Sequence, residues 1–200
     1  MTIGTALAWK PRLLIVAGPN GSGKTTVALQ YAAANAIEYI GADAIAALIN
    51  PANPGDASFQ AARHFIDALN SSLANRKSCV VESTLSGRSF RNRVIEARDL
   101  GYDVMIVFVY LDSADACIAR VAERVRKGGH HVPESDIRRR FGRSVTNFWS
   151  LYRGLADAWV VLYNGSSRIQ DVSLGSRDDL LVRDGRRHAA FMSLVGKYDD

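Results

Sequence analysis

The sequence predicts an α/β fold in which a parallel sheet is covered by helices on both faces. Three observations carry that expectation. Short apolar runs alternate with longer stretches whose apolar residues recur every three or four positions. Two of the runs, Arg12 to Ala17 (RLLIVA) and Asp103 to Leu111 (DVMIVFVYL), are continuous rather than alternating, as strands buried on both faces require. A glycine-rich loop separates the first run from the first helical stretch, the order of a βαβ unit.

The elements follow in chain order. From Lys24 onward, Val27, Ala28, Tyr31 and Ala32 keep helical spacing. Ile37 to Gly41 reads as a second short strand. Asp43 can cap a short helix through Ile49, after which Pro51 and Pro54 break the chain. Ala57 to Asn75 reads as a long helix, with Phe59, Ala62, Phe65, Ile66 and Leu69 on one stripe. Ser78 to Glu82 (SCVVE) is a strand, and Ser89 to Leu100 a helix that Gly101 stops. Ser113 is a natural N-cap for a helix from Ala114 to Arg126, which Gly128 and Gly129 end. Pro133 opens a further helix to about Leu155, and Trp159 to Tyr163 (WVVLY) is a strand. Beyond Asn164 the pattern weakens. Arg168 to Val182 predicts a small hairpin turning at Gly175 and Ser176, followed by a short helix near Ala189 to Val195. The expectation is a single domain, with a core over 12–166 and an extension over 167–200.

Composition narrows the classes. The chain has 200 residues, 48% of them hydrophobic and 22% charged, which suits one well-cored globular domain. A net charge of +5 suits an anionic ligand and is too mild to demand nucleic acid. No apolar run approaches the roughly 20 residues that cross a bilayer, and Met1 to Pro11 does not read as a secretory signal. Cys79 and Cys117 both sit in apolar stretches and read as free buried thiols. These features predict a cytoplasmic location with no membrane partner.

The loop itself is Gly18-Pro19-Asn20-Gly21-Ser22-Gly23-Lys24-Thr25-Thr26 and fits G-x-x-x-x-G-K-[ST]. Its glycines let backbone N–H groups turn inward around phosphate oxygens, and the following helix aims its positive end at the same anion. Lys24 is placed to reach the β- and γ-phosphates of ATP or GTP, and Thr25 to offer its hydroxyl to Mg2+. In context the motif predicts a P-loop NTPase fold of the nucleotide-kinase kind.

Asp43 follows a short strand at the edge where ligands bind in such sheets. A carboxylate there either caps the helix or takes a proton from an acceptor hydroxyl, and the two roles are compatible. Glu82 ends its strand at the same edge, where it could hold Mg2+ through water, anchor a substrate, or sit in a salt bridge. Arg120, Arg124, Arg126, Arg138, Arg139, Arg140 and Arg143 flank Gly128-Gly129-His130-His131-Val132-Pro133. Two helices joined by such a link make a lid over about 120–143 whose guanidinium groups close on the triphosphate. Arg139 reads as a solvated residue, since three consecutive positions cannot share one helix face. His130 reads as a substrate-contacting or structural residue, because no further ligands stand at metal spacing. Two other functions fit the loop: an ATPase module without kinase activity, and a polynucleotide 5'-hydroxyl kinase, although no aromatic-rich stacking surface is evident for the latter.

With IGADAIAALINP, VVESTLSGRSF, RVAERVRKGGHHVPESDIRRRF and ADAWVVLYNGS following the loop in that order, the sequence resembles the zeta toxin family of P-loop kinases, its short members above all. The resemblance covers about Leu13 to Ser166. It implies ATP- or GTP-dependent phosphorylation of a small-molecule hydroxyl, in well-studied toxins that of a UDP-activated amino sugar such as UDP-N-acetylglucosamine. It implies that Asp43 is the general base and that Glu82 and Thr84 belong to the substrate side. Arg120, Arg124, Arg126 and Arg138 fall where the family places its γ-phosphate arginines, and Asn164 lies near its nucleobase loop. A protein antitoxin that covers the nucleotide site is the implied partner. Ala46 departs from the pattern, standing where the toxins often carry an arginine.

Overall fold

A computed structural model describes residues 10–177 and 179–199. Its centre is a seven-stranded sheet in the order β2-β3-β1-β4-β5-β6-β7. The strands are β1 (Arg12–Ala17), β2 (Glu38–Ile40), β3 (Cys79–Ser83), β4 (Asp103–Tyr110), β5 (Ala158–Tyr163), β6 (Gln170–Gly175) and β7 (Leu180–Val182). The helices are α1 (Lys24–Asn35), α2 (Ala42–Ile49), α3 (Ser58–Ala74), α4 (Arg91–Asp99), α5 (Ala114–Arg126), α6 (Glu134–Asn147) and α7 (Gly185–Lys197). Strands β1 to β5 pair in parallel, with β1 between β3 and β4. The sheet is mixed, because the expected hairpin does not stand apart from it. Strand β6 pairs antiparallel with β5, and β7 with β6, so the hairpin extends the same sheet.

The continuous apolar strands have the expected cause. Leu13, Ile15 and Ala17 face one side of the sheet and Leu14 and Val16 the other, and all five are wholly buried. Helix α1 covers the Leu14 side through Ala28 and Ala32. The other side is filled from α3 (Phe65, Leu69, Leu73), α5 (Cys117, Val121), α6 (Ile137, Phe141, Val145) and α7 (Phe191, Val195). Among the described residues no helix is long and apolar enough to cross a membrane.

Three elements differ from expectation for local reasons. The helix after Pro133 does reach Leu155, but Phe148–Tyr152 is a π-helical turn and Arg153–Leu155 a 3-10 turn. Widening the helix there lets Phe148 stack on Phe108, with ring centroids 4.4 Å apart and planes 13° from parallel. Helix α7 begins earlier than expected because Asp184 caps it, its carboxylate accepting from the Arg187 N–H at 2.9 Å. Asp43 is not a cap. The N-cap of α2 is Gly41, and Asp43 stands in the first turn with its carboxylate exposed.

Candidate active site

Strand β1 ends in the middle of the sheet, and the loop over 18–23 carries the chain from there into α1. Each of the three loop glycines has positive φ and no free room for a Cβ. Gly18 has φ 138° and an added Cβ would fall 2.0 Å from the Val109 carbonyl oxygen, while Gly23 has φ 101° and its Cβ would fall 2.3 Å from Asn164 Nδ2. Lys24, only 5% exposed, folds back over the loop. Its ammonium donates to the Pro19 carbonyl at 2.8 Å and lies 3.8 Å from Glu82 Oε1. Burial pulls the Lys24 pKa down, and the charges of Glu82 and Asp43 oppose the drop. Pro19 serves the loop through that carbonyl, and Gly21 packs against the backbone of α5 at Cys117.

Around the loop, Ser22 Oγ, Arg124 Nε and Asn20 Oδ1 are buried and find no hydrogen-bond partner among the described residues. Buried polar groups are normally satisfied, so three orphans at one loop mark a place for a polar ligand. Ser22 and Arg124 present donors, which suit phosphate oxygens; the Asn20 oxygen suits a hydroxyl or water. Thr25 and Thr26 open onto the same space. The residues present therefore fit a triphosphate. Among the described residues no three His, Cys, Asp or Glu side chains gather as a metal site. A Mg2+ ion needs fewer protein groups, since it keeps waters and takes phosphate oxygens, and Thr25 with Glu82 would supply them.

Three chambers meet at Asn20 and Asp43. The phosphate chamber, about 160 Å³, lies between the loop, Glu82, Arg120 and Arg124. An inner chamber of about 230 Å³ runs past Lys24 and Glu82 to Phe65, Ser83, Thr84 and Arg140. An outer one of about 460 Å³ continues to Ser58, His130, His131, Asp136 and Arg140. Asp43 is thus the one carboxylate that faces the phosphate chamber and both spaces beside it. Glu82, whose side chain is 13% exposed, accepts from the Tyr39 hydroxyl at 2.9 Å. Thr84 Oγ1 lies 2.9 Å from Ser86 Oγ, and its carbonyl accepts from the Ser144 hydroxyl of α6.

The arginines separate by helix geometry. Arg120 donates to the Asn164 carbonyl at 2.5 Å, and Arg124 to the His130 carbonyl at 2.7 Å, tying the link of residues 127–133 back to α5. Both line the phosphate chamber. Arg126 is two positions after Arg124, about 200° around the helix. It is exposed and paired with Glu123. Arg138 is likewise exposed, paired with Asp115 at 2.6 Å. The structure brings neither of these two expected residues to the chambers. Arg140 comes instead, lining the inner and outer chambers and held by Asp136 at 3.2 Å. The apolar stripe Ile137, Phe141, Val145 does not single it out, because at about 100° per residue Arg138 and Arg140 flank that stripe on opposite sides. Asn164, expected beside the base, has its amide directed at the loop: Nδ2 donates to the Ser22 carbonyl at 2.8 Å.

Comparison with known proteins bears on the family and the fold. The family described as AAA domain (AAA_33) matches residues 13–142. An uncharacterized protein of Haemophilus influenzae is 32% identical over 131 residues, 65% of this chain and 92% of that one. Among solved structures, AvrRxo1-ORF1:-ORF2 with ATP superposes with a TM-score of 0.72 at 15% identity, over 94% of this chain. This chain spans 65% of that chain's length. A structure from the PezAT chromosomal toxin–antitoxin system of Streptococcus pneumoniae superposes with a TM-score of 0.63 at 12% identity, covering 98% of this chain and 89% of that one. At such identities the likeness establishes a shared P-loop kinase-like fold.

Proposed function

The chain belongs to the AAA domain family, and we propose that it is a kinase, moving the γ-phosphoryl group of ATP or GTP to a small-molecule hydroxyl. One observation carries the reading: Asp43 faces the phosphate chamber and the two spaces beside it, and it does not cap its helix. An ATPase needs only the first chamber. A kinase needs a second space that opens onto the first past a base.

In this reading the loop amides, Lys24, Ser22 and Arg124 bind the triphosphate. Asp43 orients the acceptor hydroxyl and takes its proton. The hydroxyl oxygen then forms a bond to the γ-phosphorus as the bond to the β-γ bridging oxygen breaks, leaving the nucleoside diphosphate. Lys24, Arg124 and Arg140 stabilise the charge on the moving group. Thr25, and Glu82 through water, would hold Mg2+, which supplies charge neutralisation across the β- and γ-phosphates.

The acceptor we favour is a UDP-activated amino sugar such as UDP-N-acetylglucosamine. The sequence resemblance supports it, as do two chambers whose walls mix hydroxyl, imidazole and guanidinium groups. The same resemblance supports an antitoxin-like protein partner at the nucleotide site, and the free buried thiols of Cys79 and Cys117 are in keeping with a cytoplasmic setting. Incubation with γ-labelled ATP or GTP, Mg2+ and a panel of UDP-sugars tests the proposal. Label transferred to a sugar supports it. Nucleotide bound, with label released only as inorganic phosphate across the panel, favours the ATPase instead.

A further inference from the structure

Tyr39 was not singled out by any motif. Strand β2 pairs with β3 in parallel, with Tyr39 opposite Val80. Glu82 is two residues beyond Val80 and so faces the same side of the sheet. Such diagonal neighbours lie within reach of a long aromatic side chain. The Tyr39 ring packs against the core cluster that includes Val80, Val16 and Ala28, and its hydroxyl donates to Glu82 Oε2 at 2.9 Å. The same hydroxyl presses on the chain two residues further along: a Cβ added at Gly41 would fall 2.2 Å from it. Gly41 is the N-cap of α2 and stands two residues before Asp43. One hydroxyl is therefore wedged between the Glu82 carboxylate and the backbone from which Asp43 projects.

We infer that Tyr39 is a positioning residue for phosphoryl transfer, holding Glu82 back from Lys24. This rests on the kinase reading above. Glu82 Oε2 is occupied by Tyr39, while Oε1 stands 3.8 Å from the Lys24 ammonium, beyond hydrogen-bond reach. Without the hydroxyl, the carboxylate is free to close on the ammonium, and a lysine so paired stabilises less well the charge that develops on the moving phosphoryl group. Burial, and then the neighbouring carboxylate, hold the phenol above its usual pKa range, so it remains a donor at working pH.

A double-mutant cycle on ADP release, with saturating Mg-ATP and the acceptor found above or water alone, tests the inference. Tyr39→Phe keeps the ring, so its melting temperature serves as a check on folding. Turnover in Tyr39→Phe is expected to fall about tenfold, the size of one hydrogen bond to a charged group, with KM for ATP within about threefold of wild type. In a Glu82→Gln background the same change is expected to cost less than about twofold, because its route of action is gone. Gly41→Ala drives the hydroxyl from Glu82 while leaving the tyrosine in place, and it should lose turnover to a similar extent. An unchanged Tyr39→Phe enzyme, or an equal loss in the Glu82→Gln background, overturns the positioning role alone. Label released only as inorganic phosphate, with no acceptor labelled, overturns the kinase reading, whereas the cycle read on that hydrolysis still tests the hold of Tyr39 on Glu82.

Discussion

Lys24 Nζ stands 3.8 Å from Glu82 Oε1, close enough to feel its charge and too far to share a hydrogen bond. Both side chains are nearly buried, so the pair is neither a satisfied salt bridge nor two solvated ions. A triphosphate completes the environment of the lysine and is repelled by the carboxylate. The two residues should therefore separate in binding experiments. Lys24→Ala is expected to weaken ATP binding by roughly 10- to 100-fold, the worth of one charge-assisted contact. Glu82→Gln is expected to leave ATP binding unchanged or tighter in EDTA and to lose part of the gain that Mg2+ brings. Calorimetry with and without Mg2+ checks both. Equal weakening in EDTA by the two changes would show that Glu82 does not oppose the phosphates.

Asp43→Ala separates chemistry from binding. Its carboxylate lies in the first turn of α2 and caps nothing, so its loss should cost little stability. We expect transfer to fall by about 10²- to 10⁴-fold, the range for a lost general base, with nucleotide affinity little changed. Nucleotide affinity falling as far as it does in Lys24→Ala would remove Asp43 from the role of base.

Much of this arrangement was legible in the sequence, and what was not has identifiable causes. The strands β1, β3, β4 and β5 announce themselves because burial on both faces leaves only apolar residues, and the loop because Gly18 and Gly23 admit no side chain. Asp184 was missed as a cap because the polar stretch before α7 hid where the buried face of Phe191 and Val195 begins. Choosing among Arg138, Arg139 and Arg140 needs the phase of α6 to within one residue, which the run of three arginines conceals. Tyr39 was invisible because its partner, Glu82, is brought to it only by the pairing of β2 with β3.

The arginines make the next test. Arg140→Ala and Arg124→Ala should each reduce turnover by at least about tenfold, since each removes a charge facing the chambers. Arg126→Ala and Arg138→Ala remove only exposed ion pairs, whose worth is about 0–1 kcal/mol, and should leave turnover and stability nearly unchanged. Steady-state kinetics on the four variants decides. A large loss in Arg126→Ala or Arg138→Ala would mean that the lid turns during the cycle to bring those faces inward.

Asn164 offers a choice between reading the base and propping the loop. Its side-chain amide donates to the Ser22 carbonyl, and its backbone carbonyl accepts from Arg120. A prop acts on the phosphate cradle, which ATP and GTP share. Asn164→Ala should therefore weaken both nucleotides alike, by roughly tenfold for one lost buried hydrogen bond with its unsatisfied partner. A change in the ATP-to-GTP affinity ratio would instead place Asn164 at the base.

The C-terminal helix provides a prediction about stability. His188 of α7 packs edge-on to Trp149, whose ring also carries the Arg153 guanidinium at 3.9 Å, and its Nδ1 lies 3.2 Å from Ser173 Oγ. Burial lowers the His188 pKa below its ordinary 6.5, because the imidazolium loses hydration there. The sign follows from proton counting. As pH falls through 6.5 the unfolded chain takes up a proton at this residue before the folded chain does, so stability falls. The loss is complete once pH is below the folded value, and it is absent above the unfolded one. Melting curves between pH 8 and pH 5 should therefore show a steeper acid-side decline for the wild type than for His188→Gln. The two should differ at pH 8 only by a constant packing term. Parallel curves across the whole range would mean that the folded protein accommodates the charged ring beside Trp149, and that the anchoring of α7 does not depend on a neutral histidine.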